Sequence, residues 1–152
     1  MDMRNRINAA LKEAMREKDS ERLATLRLIN AAIKDREIAA RGEGKEESVS
    51  DSEVLGILGK MVKQRQESAK AFEEGGRLEL AEKERAEITV IEGFLPRQLT
   101  PAETEKAVSD AIAETRADSI RDMGKVMGVL KSKYTGQMDF GAVGPLVKAK
   151  LG

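Results

Sequence analysis

The chain has 152 residues, 27 basic and 27 acidic side chains, and neither cysteine, histidine nor tryptophan. That composition excludes disulfides, thiol nucleophiles and cysteine- or histidine-ligated metals, and it removes the commonest general base. With three phenylalanines and one tyrosine it offers little aromatic surface on which bases could stack. The apolar runs fall far short of the ~20 residues that span a bilayer. Because the N-terminus also lacks a signal-peptide pattern, a soluble, cytoplasmic protein is the default expectation. Charge is uneven along the chain. Residues 1–81 are balanced, 82–118 carry five basic and nine acidic side chains, and 119–152 carry six basic and two acidic, net +4. A basic end of this kind suits a polyanion or an ordinary solvated surface.

Helical periodicity begins at once. Met3, Ile7, Ala10, Leu11, Ala14 and Met15 form one face of a helix over 2–17. After the break Lys18-Asp19-Ser20, a second helix runs to about Arg41 on Leu23, Leu26, Ile29 and Ile33. Residues 42–48 read as a polar loop, and Ser50 with Glu53 forms a capping box for the third helix. Its stripe is Val54, Leu55, Leu58, Met61, Val62, Ala69 and Phe72, and Gly75-Gly76 ends it. A fourth helix places Leu78, Ala81, Arg85, Ile88 and Ile91 inward.

Phe94-Leu95-Pro96 stops the fourth helix, since the residue before proline is pushed out of the helical region. Thr100-Pro101-Ala102-Glu103 then combines an N-cap, proline at the first helical position and a closing glutamate. A boundary between residues 1–95 and 96–152 follows. A fifth helix carries Val108, Ala111 and Ile112. A sixth, capped by Ser119 or Asp122, carries Met123, Val126, Met127, Leu130 and Tyr134. The seventh, capped by Asp139, carries Phe140, Val143, Val147 and Leu151. Pro145 should kink or loosen it. No segment alternates long enough for a strand, so the fold class is all-α, with a longer N-terminal helical subdomain and a compact C-terminal three-helix part.

The chemistry is sparse. Adjacent carboxylates such as Glu46-Glu47 and Glu73-Glu74 read as solvated surface, and no phosphate-loop or calcium-loop spacing occurs. No catalytic residue, metal ligand or cofactor site is assigned. Lys60 and Lys63 lie on a flank of the third helix and read as a solvated face, with a second basic strip as the alternative. The departure from a plain bundle is Asp122-Met123-Gly124-Lys125-Val126-Met127-Gly128, with Lys131, Lys133 and Gly136 following. A helix-interior glycine costs about 0.5–1 kcal/mol against alanine. Two readings stand for Gly124 and Gly128. One is close packing of another helix, and phase favours it by setting both glycines beside the Met123/Met127 stripe. The other is close approach of a phosphate backbone, with Lys125, Lys131 and Lys133 as counter-charges.

The same Asp122–Gly128 motif, the Phe94-Leu95-Pro96-Arg97-Gln98-Leu99 break, the Leu23–Ile33 helix, the segment from Lys63-Gln64-Arg65 to Gly75-Gly76-Arg77, and the ending Leu146-Val147-Lys148-Ala149-Lys150-Leu151 closely resemble the YqeY family. The resemblance covers nearly the whole chain in order and implies a two-part, all-helical fold. Its C-terminal part is similar to the tail of the B subunit of the tRNA-dependent amidotransferase, a carbon–nitrogen ligase with glutamine as amido donor. That implies association with tRNA, or with an enzyme of tRNA aminoacylation or amidation, through Gly124, Lys125, Gly128, Lys131, Lys133 and Gly136. It does not imply that this chain performs amidation. The resemblance thus implies a noncatalytic tRNA-associated module. An amidotransferase accessory and a protein–protein adaptor are the alternatives. Gln137, where the family pattern has lysine, and Pro145 depart from that pattern.

Overall fold

A computed structural model describes residues 2–44 and 49–152. Its described residues form seven α-helices: α1 Met3–Arg16, α2 Ser20–Gly42, α3 Asp51–Glu74, α4 Leu78–Glu92, α5 Pro101–Thr115, α6 Met123–Lys133 and α7 Phe140–Leu151. No strand occurs among them, so the fold is all-α. Of the expected 42–48 loop, residues 45–48 lie outside the described residues, as does the Glu46-Glu47 pair.

Contacts divide the chain into two compact units, Met1–Leu95 and Pro96–Gly152. In the first, α1–α4 close over a core that includes Ile7, Leu26, Ile29, Ile33, Val54, Leu58 and Ile91, all fully buried. Asp2, Asp19 and Ser50 cap α1, α2 and α3, each accepting a first-turn N–H. At the end of α3 the Arg77 N–H reaches the Phe72 carbonyl at 2.7 Å and the Gly76 N–H reaches Glu73 at 3.0 Å. This Schellman turn requires a left-handed residue, and Gly76 supplies it at φ +74°. Two expected core positions face water. Met15 is 53% exposed in the last turn of α1, beyond Ala14, and Leu78 is 62% exposed as the first residue of α4, ahead of the core at Ala81. Arg85 is also exposed and pairs with Glu73 across the α3–α4 connection.

In the second unit, α5, α6 and α7 pack pairwise around Val108, Val126, Leu130 and Val147. The α5 capping box has both hydrogen bonds: the Glu103 N–H donates to Thr100 Oγ1, and the Thr100 N–H donates to Glu103 Oε1, each at 3.1 Å. The turn before α7 is tied to the segment before α5. The Leu99 N–H donates to the Gln137 carbonyl at 2.9 Å, Gln137 Nε2 donates to the Arg97 carbonyl at 3.1 Å, and Gln98 Nε2 donates to the Gly136 carbonyl. Contrary to the kink expected at Pro145, α7 runs through it from Phe140 to Leu151. The missing N–H would have served Gly141 in the first turn, and Gly141 is exposed, so solvent can serve its carbonyl.

Candidate nucleic-acid interface

A short 3₁₀ turn, Ile120–Asp122, leads into α6. Ser119 caps that turn through the Arg121 N–H. Asp122 stands at the N-cap of α6, but its side chain makes no capping bond to the helix. It accepts the Asp118 N–H at 3.2 Å instead. That hydrogen bond is the main cause holding the Asp122 carboxyl below the ordinary aspartate value, with the charge of Lys125 a smaller contribution. The core side of α6 is Val126 and Leu130, both fully buried, with Met123, Met127 and Tyr134 packed against them.

Gly124 and Gly128 do not pack as expected. Both are exposed, and a Cβ built at either would meet no heavy atom within 4 Å. The packing reading is therefore corrected for the described residues of this unit. Being next to a core residue in sequence turns a helical position about 100° away from it, and that is far enough to put both glycines on the open face. Lys131 lies at i+7 from Gly124 and shares that face. Lys125 and Ser132 form the adjoining row by the same spacing.

That row borders a shallow groove of about 550 Å³, lined by Glu114 and Thr115 at the end of α5 and by Lys125, Gly128, Val129, Ser132 and Lys133 of α6. The three lysines are not equivalent. Lys125 is 74% exposed, with its Nζ 3.9 Å from Asp122. Lys131 is exposed and has no ion-pair partner among the described residues. Lys133 Nζ lies 2.6 Å from Glu114 Oε2, and this hydrogen bond, followed by the attraction between the charges, raises its pKa. Gly136, half-buried, has φ +78°, a conformation that favours glycine, and its carbonyl already accepts Gln98. Of the six residues expected to bind, the structure thus gathers Gly124, Lys125, Gly128 and Lys131 on contiguous faces, pairs Lys133 with a carboxylate, and gives Gly136 a turn. Sequence reasoning missed Glu114 and Gln137. Glu114 lies 19 residues from its partner, so no local spacing signals the pair. Gln137 appeared only as a departure from a lysine pattern.

Among the described residues, no group of three or more carboxylates is placed to hold a metal ion, and no helix is long and apolar enough to cross a membrane.

The model of the family described as "Yqey-like protein" matches residues 4–151. The chain belongs to that family. Curated proteins named "Altered inheritance of mitochondria protein 41, mitochondrial" are similar to it. The one from Pyrenophora tritici-repentis is 29% identical over 133 residues, 84% of this chain and 71% of that protein. The one from Lachancea thermotolerans is 32% identical over 108 residues, 70% and 56% respectively. The one from Clavispora lusitaniae is 35% identical over 89 residues, 59% and 49%. This chain therefore spans only part of each relative's length. These names overturn the expectation of a cytoplasmic location, because the YqeY-family relatives that match are mitochondrial by name. The physical reason for the error is plain: neither the shortness of the apolar runs nor the lack of a secretory signal pattern chooses between aqueous compartments.

Proposed function

We propose that the second unit is a noncatalytic tRNA-associating module, contacting phosphate backbone through the open face of α6. The observation that carries this reading is the exposed pair Gly124 and Gly128, set between Lys125 and Lys131 with no packing partner among the described residues. Each glycine costs the helix about 0.5–1 kcal/mol. In return a backbone can approach the α6 axis about one side-chain layer closer than elsewhere, with a cation on either flank. Contacts of this kind position an RNA without reading its bases. With two or three phosphates neutralised, affinity is modest and falls steeply with salt, by a log–log slope of about 0.7–0.9 per phosphate.

The test is a tRNA titration at several salt concentrations with wild type and Lys125→Glu/Lys131→Glu. Wild type should bind at low salt, and the variant should bind at least about tenfold more weakly while keeping its helical circular dichroism. Equal binding at every salt would falsify the reading. The same open face could instead seat a partner helix, the adaptor alternative, and capture that resists salt and is lost on Gly128→Leu would favour it. A role beside a tRNA-dependent amidotransferase rests on the resemblance of this unit to that enzyme's B-subunit tail.

A further inference from the structure

Lys125 and Lys133 border the same groove, but only Lys133 is hydrogen-bonded to a carboxylate. Lys133 is the last residue of α6 and Glu114 lies in the last turn of α5, and their side chains meet at 2.6 Å with each about half exposed (53% and 52%). Lys125, 74% exposed, sits 3.9 Å from Asp122 Oδ1, beyond hydrogen-bond distance, while the other oxygen of that carboxylate accepts the Asp118 N–H. Lys131 has no ion-pair partner among the described residues.

We propose that Glu114 lowers affinity at this interface, by competing with RNA phosphate for Lys133. The proposal rests on the tRNA-binding reading above and divides its lysines: Lys125 and Lys131 bind, and Lys133 is withheld. A phosphate approaching Lys133 must displace a carboxylate already hydrogen-bonded to it and then lie beside that displaced negative charge. The carboxylate is tethered on a packed helix, so it does not diffuse away as a counterion would, and the competition acts at every RNA concentration. A built-in repulsive group is a general device for weakening a contact, and here it leaves Lys125 and Lys131 as the main counter-charges. The upward shift of the Lys133 pKa has the same contact as its first cause.

The experiment uses the whole chain and purified tRNA, with wild type, Glu114→Gln, Lys133→Gln, the double variant, and Glu82→Gln in the other unit as a control for net charge. Removing Glu114 should tighten binding about two- to fivefold at low salt, the range an exposed ion pair commands. It should also steepen the log–log salt slope by about 0.7–0.9, the signature of one more neutralised phosphate. Lys133→Gln alone should change binding less than about twofold, and in the double variant the gain should vanish, which is the coupling a double-mutant cycle isolates. Equal tightening by Glu82→Gln, or a gain that survives in the double variant, would overturn the proposal. If Glu114→Gln changes nothing while Lys125→Glu/Lys131→Glu abolishes binding, the competitor is wrong and the tRNA reading stands. If neither wild type nor Glu114→Gln binds at the lowest salt, both fall.

Discussion

Two neighbouring stretches of the second unit treat glycine in opposite ways. In α6, Gly124 and Gly128 occupy ordinary helical positions where a side chain would meet nothing within 4 Å. At the end of α5, the chain turns through the left-handed region at Arg116, φ +54°, where glycine would be at ease and a bulky residue is strained. The hydrogen bonds there, Arg116 N–H to Ala113 at 3.2 Å and Ala117 N–H to Ile112 at 3.1 Å, match the pattern that Gly76 completes after α3. Backbone demand alone therefore places glycine at 76 but does not explain 116, 124 or 128.

The largest test of this contrast removes the side of α6 that holds it in place. Leu130→Ala should destabilise the second unit by about 2–5 kcal/mol, because Leu130 is fully buried in a small core. Tyr134, the sole tyrosine in a chain without tryptophan, reports that unfolding by its fluorescence. A loss below about 1 kcal/mol would mean that α6 is not anchored by this face, and the exposure of its glycines would lose its meaning.

Next in size, Gly124→Ala with Gly128→Ala should raise stability by about 1–2 kcal/mol in total, since alanine is the better helix former and both sites are open. Thermal or urea unfolding measures it. A destabilised variant would reveal a close neighbour at these positions and restore the packing reading. The smallest effect is Arg116→Gly, a gain of about 1 kcal/mol from relieving the left-handed conformation. No change on urea unfolding would show that the arginine compensates for its strain, and the contrast between the two stretches would narrow to α6.

Glu103 shows how far local sequence reaches. The Thr100-Pro101-Ala102-Glu103 pattern gives the capping box directly, because all its partners lie within one turn. What it could not give is the bidentate Arg97–Glu103 pair, with both contacts at 2.8 Å, which together with the Thr100 N–H brings the Glu103 carboxyl down to about 2. The Arg97 contact is the larger cause and depends on how the preceding loop folds back.

By itself the sequence determined the all-helical class, the stripes that became two cores, and the helix ends around Lys18-Asp19-Ser20, at Ser50, at Gly75-Gly76 and at Thr100, because each depends on residues within about one turn of one another. Only the tertiary structure decided which face of α6 stays open and which lysine meets a carboxylate of α5. Those outcomes depend on where α5 and α7 lie against α6 and on a carboxylate 19 residues away from the lysine it holds.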